Sequence, residues 1–588
     1  MMGVTRQGGD AFYAAIMRRA ISRYPPICIR RFPRLRACER AAATGIARRW
    51  QCCALATLQW LACASLTPRF AAARFRFFMT SSPSRRASAP SHGKKRSASP
   101  ARRQDPAEPA RGAVRLAPDS LGFALDQAAH AVGAVRAGAA LPAALASAFA
   151  ALPADLAPLA RGAVQDIAYR TMRRLGTVDW LIRQRVSKAP PPLVANLLAC
   201  SLALLVEDEA SAAYTPFTVV DQAVRAVGAR REIAFAKGLV NAVLRGFLRE
   251  RDAALAAAQA DETARWNYPR WWIDAIRAAW PAQWQAILAA GNTQGPLTLR
   301  VNARRSGAAD YVQRLAADNI AATQIGEHAV RLAAPLPVDR IPGFLAGDVS
   351  VQDAGAQRAA EVLGVRDGMR VLDACAAPGG KSGHLLELAD IDLIALESDA
   401  ARAARIGENF ARLGFAEDDP AHPSRHAKIV VGDAGDPAAW HDGQLFDRIL
   451  ADVPCSASGI VRRHPDIRWL RRESDIAALA QEQRRIAQAL WPLLKPCGEL
   501  LYVTCSIFPE EGEAQARWFE STHADAVRLD APGQLLPTAD GAPARGPECG
   551  AANEARHDAD GQAAATACPV PDRTADHDGF FYARFQKR

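Results

Sequence analysis

The chain has 588 residues and carries 73 Lys and Arg against 61 Asp and Glu, a formal net charge of +12. Hydrophobic residues make up 49% and charged residues 23%, which are ordinary globular fractions. Together these exclude a wholly disordered chain, a collagen and a disulfide mini-protein, and the length suggests roughly three to four domains.

The charge is unevenly placed. Residues 1–115 hold 23 Lys and Arg and only four acids, Asp10, Glu39, Asp105 and Glu108. Residues 1–78 alone carry 14 basic and two acidic residues, which equals the whole surplus of +12, and from Met79 onward the charges cancel. The basic balance is thus a property of the N-terminal extension and does not by itself argue for nucleic-acid binding. Five of the 12 cysteines fall in the first 63 residues (Cys28, Cys38, Cys52, Cys53, Cys63). The others form no C-x-x-C pair and no short Cys/His cluster. Neither a metal site nor a secreted disulfide framework is expected, and reduced thiols in a cytoplasmic protein fit better.

In chain order, residues 1–78 are Arg- and Ala-rich without a clear helical face. The apolar run from Cys52 to Leu66 is interrupted by Gln59 and is shorter than the roughly 20 residues of a membrane span. No membrane association is expected. The composition resembles an organelle transit peptide, or a start assigned too early. Met79, which opens Met-Thr-Ser-Ser-Pro-Ser-Arg-Arg, is the expected true start, and the whole stretch 1–117 reads as a disordered basic extension.

An all-helical domain is expected over 118–252. Leu121, Leu125, Ala128 and Ala129 share one helix face, and Ala163, Ile167, Met172 and Leu175 another. Pro190–Pro192 punctuates the chain before an apolar helix from Leu193 to Val206, and a turn follows at Tyr214–Phe217. A last helix, Arg231 to about Arg249, would turn Phe235, Leu239, Val243, Leu244 and Phe247 inward and leave Lys237, Asn241, Arg245 and Arg249 on other faces.

A small α/β RNA-binding module is expected over 262–348. Trp266, Trp271, Trp272, Trp280 and Trp284 fall within 19 positions, and the helical spacing of Trp272, Ile276 and Trp280 favours packing over base stacking. Pro296 to Asn302 alternates as a strand does, so Arg300 and Asn302 would either reach RNA phosphates or sit on a surface strand.

From about 349 to 588 a Rossmann-like α/β domain is expected. Met369–Ala374 reads as a buried strand running into Cys375-Ala376-Ala377-Pro378-Gly379-Gly380-Lys381, with a helix starting near Ser382. A strand, a small-residue turn and a helix N-terminus make the nucleotide-binding corner of a doubly wound sheet. Three further strands are expected to end in acids: Ile391–Leu396 before Glu397, Lys428–Asp433, and Phe446–Asp452. Asp373, Glu397, Asp433 and Asp452 would converge at the strands' C-terminal ends, with Glu397 suited to a ribose diol. The pattern is neither G-x-G-x-x-G nor a P-loop, so S-adenosylmethionine fits better than a nicotinamide. Cys455 follows one strand and Cys505 another, each flanked by Ser, which points to thiol chemistry. Spacing alone does not rank the two cysteines.

Taken together, D-A-C-A-A-P-G-G-K (Asp373–Lys381), D-V-P-C-S (Asp452–Ser456) and T-C-S (Thr504–Ser506) resemble the RNA cytosine-5 methyltransferases. The close match is the bacterial Sun/Fmu-type 16S ribosomal RNA methyltransferases, supported by Gly459–Trp469 and Asp578–Ala583. The helical region, notably Arg173–Leu181 and Phe235–Arg245, resembles that family's antitermination-factor-like RNA-binding domain. The resemblance covers about 118–588 and is weak over 531–576, which reads as a loop insertion.

It implies S-adenosylmethionine-dependent methylation of cytosine C5 in 16S rRNA, at cytosine 967, through a covalent adduct at C6. By resemblance Cys505 is the nucleophile and Cys455 assists breakdown of the adduct. The loop Cys375–Lys381 would hold the methionine end of the cofactor, Glu397 the ribose and Asp433 the adenine side. Asp452, at the cofactor crevice, would hold or protonate the base. Arg462 and Arg463 would meet RNA phosphates or form a solvated pair. A monomer acting on free 16S rRNA or an early small-subunit particle is expected. The alternatives are a transfer-RNA cytosine-5 methyltransferase and an RNA-binding antitermination regulator with an inert methyltransferase domain.

Overall fold

The computed structural model describes residues 116–153, 156–207, 212–415, 426–537 and 576–588. The expectations for 1–115, a start at Met79 included, and for most of 531–576 lie outside the described residues.

Among the described residues, seven α-helices come first: Leu121–Arg136, Leu141–Ala150, Ala157–Arg173, Leu175–Arg185, Pro192–Leu205, Pro216–Ala229 and Lys237–Arg249. The helix Pro192–Leu205 is apolar on nearly every side and is buried along most of its length, because its neighbours pack around it. Local chemistry sets the boundaries. Pro192 and Pro216 open their helices, where the missing N–H costs nothing, and Ser120 and Thr215 accept N-terminal amides as caps.

The last helix departs from the expected pattern. It begins at Lys237 after a 3-10 turn, Ala234–Ala236. That turn has three residues per rotation rather than 3.6, so a face projected from Arg231 loses phase. Phe235 is 76% exposed and Leu239 36%, while Val240, Val243, Leu244 and Phe247 form the buried stripe.

The tryptophans do pack. Trp272, with Tyr268, Ile273 and Ile276, sits in a core shared with Val461, Ile507 and Phe508. Trp280 Nε1 donates to the Ile507 carbonyl at 2.9 Å. A four-stranded antiparallel sheet follows, in the order β2-β3-β1-β4, from β1 (Thr298–Val301), β2 (Ala322–Gln324), β3 (Ala329–Leu332) and β4 (Val349–Val351). Arg300, on the inner strand β1, and Asn302, just after it, are both buried, so they are neither on a surface nor in reach of RNA. Arg300 is fully buried and grips both Glu387 oxygens at 2.8 and 2.7 Å, and Asn302 donates to the Gly347 carbonyl at 3.0 Å.

The third part is a seven-stranded sheet in the order β10-β11-β9-β8-β5-β6-β7. Its strands are β5 (Arg370–Asp373), β6 (Asp392–Glu397), β7 (His426–Val431), β8 (Phe446–Asp452), β9 (Leu494–Thr504), β10 (Ala526–Leu535) and β11 (Phe580–Lys587). The pairings from β7 through β9 are parallel, and β11 and β10 add antiparallel strands. The chain leaves β5 towards β6 on one side and later places β8 on the other. A crevice therefore opens at the C-terminal end of β5.

Arg462 and Arg463 are also redirected. Arg462 is 1% exposed and pairs with Asp578 and, at 2.6 Å, with Asp576. Arg463 bridges Asp353 at 2.7 Å and Asp578 at 2.5 Å. They tie the segment after β8 to the approach to β11 instead of facing phosphates.

Candidate active site

The crevice starts where β5 ends in Asp373. Gly379 has a φ of +90° and caps the helix Gly380–Leu388, and a Cβ there would lie 3.1 Å from Ile406. Asp373 accepts from Ser382 Oγ at 2.6 Å through one oxygen. Its other oxygen is buried without a hydrogen-bond partner. Burial pushes this carboxyl up to about 7.

Glu397, at the end of β6, is 2% exposed. It accepts the amides of Ala377 (3.3 Å) and Asp399 (3.1 Å) and pairs with Arg402 at 3.3 Å. Cys375 lies among Asp452, Asp373 and Glu397. Burial first, and then these carboxylates, push its thiol well up, so it is no ready nucleophile.

Asp433 differs from the other three acids. β7 stops at Val431, and the Asp433 side chain, about half exposed, pairs with Arg485 at 2.9 Å and caps the Gly435 amide. The Arg485 hydrogen bond holds its carboxyl below the usual range despite some desolvation.

Cys455 and Cys505 meet. The loops after the neighbouring strands β8 and β9 bring their sulfurs to 3.5 Å, both half-buried. Lys381, on the first turn of the helix Gly380–Leu388, reaches Asp452 at 2.5 Å. Burial works against its ammonium, but Asp452 and the Cys505 sulfur more than offset this, and its pKa is raised.

Several residues around this pair escaped sequence reasoning. Glu511 holds the serines next to both cysteines, Gln483 donates to the Pro454 carbonyl, and Arg471 donates to the carbonyls of Cys455 and Ser456. The acid pair Glu510-Glu511, five and six residues after Cys505, is the one local signal for the first. The segment before Arg471 also anchors the helical region. Asp466 accepts the Leu141 amide at 2.8 Å, and Trp469 Nε1 donates to the Met172 carbonyl at 2.9 Å.

Among the described residues no His, Cys, Asp or Glu cluster is arranged to hold a metal, and no helix is long and apolar enough to cross a membrane.

Comparison with known proteins follows this layout. Residues 360–586 match the family described as 16S rRNA methyltransferase RsmB/F. Residues 268–339 match the ferredoxin-like domain of RsmF/B-like methyltransferases, and 125–249 match the NusB family. Ribosomal RNA small subunit methyltransferase B of Sodalis glossinidius is 40% identical over 433 residues, covering 73% of this chain and 90% of the relative. The protein of that name from Cronobacter sakazakii is 40% identical over 379 residues, covering 63% and 84%. The crystal structure of PH0851 shares the fold, with a TM-score of 0.58 at 22% identity, over 81% of this chain and all of that one. The chain belongs to the RsmB/F family of S-adenosylmethionine-dependent RNA methyltransferases.

Proposed function

We propose that the protein methylates C5 of a cytosine in 16S rRNA through a transient bond between Cys505 and C6 of the base. The observation that carries this reading is the 3.5 Å approach of the Cys455 and Cys505 sulfurs beside the Lys381–Asp452 pair. Two relatives named small subunit methyltransferases, each 40% identical to this chain, support the substrate class.

The residues at the crevice fit S-adenosylmethionine. A glycine-lined turn gives a ligand access to the backbone, Asp373 has an unpartnered buried oxygen, and Glu397 presents a carboxylate at the end of β6. When bound, this cofactor supplies an electrophilic methyl group. Cys375, Ala376, Ala377, Pro378, Gly379, Gly380 and Lys381 would wrap its methionine end, Glu397 its ribose, and the loop carrying Asp433 its adenine side.

Cytosine C5 is a weak nucleophile until a sulfur adds at C6. Cys505 supplies that sulfur. The base must leave its stack to reach it. Asp452, fixed by Lys381, holds the polar edge of the pyrimidine and steadies the charge that develops there. Once C5 is methylated, its proton passes to solvent at the half-buried cysteine pair, the C–H electrons re-form the C5–C6 double bond, and the C6–S bond breaks with its electron pair on the Cys505 sulfur. Cys455 stands within reach to give its proton to the departing Cys505. On this reading the protein acts as a cytoplasmic monomer on free 16S rRNA or an early small-subunit particle, with cytosine 967 as the target.

Bisulfite mapping of RNA from a deletion strain tests the reading. One 5-methylcytosine should vanish from 16S rRNA and return with the intact gene. Unchanged 16S rRNA with a methylcytosine lost from transfer RNA would refute it.

A further inference from the structure

The turn after β9 carries a fully buried acid that the steps above leave unused. One oxygen of Glu511 accepts the Ser456 amide at 2.8 Å and Gln483 Nε2 at 3.0 Å. The other accepts the hydroxyls of Ser456 and Ser506, the latter at 2.6 Å. Ser456 follows Cys455, and Ser506 follows Cys505. One carboxylate therefore holds the residue next to each cysteine. Gln483 extends the clamp to the Pro454 carbonyl at 3.0 Å and accepts from the Tyr502 hydroxyl of β9 at 2.9 Å. A buried carboxylate is costly unless donors surround it, and four surround this one.

We propose that Glu511 is a positioning residue that locks the two cysteine loops in register and keeps Cys455 a thiol opposite Cys505. The proposal rests on the reading of Cys505 as nucleophile and Cys455 as its proton donor.

The charges around Cys455 favour that state. Cys505, Tyr502 and Glu511 face it from β9 and the turn beyond, the Lys381–Asp452 pair lies on the side of β8, and Arg471 holds the loop's carbonyls. Contact with the Cys505 sulfur pushes the Cys455 thiol up most, burial adds to this, and the Glu511 charge adds again. A protonated Cys455 has the proton that expulsion of Cys505 calls for. Movement of either loop by about 1 Å would separate the sulfurs, a misplacement that can cost about 10²-fold in rate.

The test is Glu511→Gln, which keeps the shape but removes the charge and turns one acceptor into a donor. Methyl transfer to 16S rRNA should show kcat about 10²-fold lower with KM for S-adenosylmethionine unchanged. In a Cys505→Ser background, the pH midpoint for alkylation of Cys455 by iodoacetamide should fall when Glu511→Gln is added. A purely structural role would leave that midpoint in place. Wild-type kcat, or an unmoved midpoint, overturns the proposal. If Glu511→Gln fails to fold, Ser506→Ala loosens the clamp while keeping the charge. It should lower kcat without moving the midpoint, and wild-type kcat in that variant also overturns the proposal. The midpoint does not depend on which cysteine attacks RNA, so the assignment of the nucleophile can fail separately.

Discussion

The cysteine crevice and the arginine clamps around it use charged and polar groups in opposite ways. At the crevice, Cys455 and Cys505 stay half-buried, and Lys381 and Asp452 keep some exposure. At the clamps, Arg300, Arg462 and Arg468 are almost wholly enclosed. Arg300 ties the four-stranded sheet to the helix Gly380–Leu388 through Glu387 and the Gly380 carbonyl. Arg462 and Arg463 tie the segment after β8 to Asp353, Asp576 and Asp578. Arg468 lies 3.9 Å from the centre of the Tyr268 ring and donates to the Gly291 carbonyl at 2.5 Å. Basic residues that read as phosphate contacts in one dimension thus stitch the parts of the molecule together in three. The crevice side chains keep some exposure while the enclosed, hydrogen-bonded arginines around them hold the loops.

That contrast can be broken from either side. The largest effect is expected at the crevice: Cys505→Ala should lower methyl transfer by at least about 10⁴-fold while the melting temperature barely moves. Radiolabelled methyl incorporation checks it, and residual activity within tenfold of wild type would remove Cys505 from the chemistry. The clamps should behave inversely. Arg300→Met leaves Glu387 buried and unpaired, and breaking such a pair costs about 3–5 kcal/mol of stability. Urea unfolding measures the loss, and a change below 1 kcal/mol would mean that the clamp is ornamental.

A smaller effect concerns pH. Burial raises Asp373 from 3.8 to about 7. Between those values the folded state binds more protons than the unfolded one, so this group's contribution to stability falls as pH rises from about 4 to about 7 and then levels off. Unfolding curves across that range should be flatter for Asp373→Asn than for wild type, and parallel curves would contradict the assignment. The smallest effect belongs to the exposed Asp433–Arg485 pair. Arg485→Ala should change stability by less than about 1 kcal/mol, because solvent screens the pair.

Much of the fold was legible because periodicity and motif agreed. The apolar helix at Pro192–Leu205, the strand β5 with its glycine turn, and the strand ends at Glu397 and Asp452 all follow from local pattern. Local pattern also marked both cysteines as following strand ends, but not the 3.5 Å separation of their sulfurs. What was missed depends on partners far away in sequence. Arg300 is buried because Glu387, 87 residues on, lies over it. Arg462 finds its acids 114 and 116 residues later. Phe235 and Leu239 failed for a local reason, a 3-10 turn that shifts the helical phase. Glu511 went unmarked because Ser456 and Gln483, which close over it, lie 55 and 28 residues earlier in the chain.

The central claim is the division of labour between the two thiols. Purified wild-type, Cys455→Ala and Cys505→Ala proteins would be incubated with 16S rRNA and S-adenosylmethionine, then run on denaturing gels. The account predicts that a covalent RNA–protein band accumulates in Cys455→Ala, where the adduct forms but is released slowly, and is absent in Cys505→Ala. A band in Cys505→Ala and none in Cys455→Ala would exchange the two roles and contradict the account.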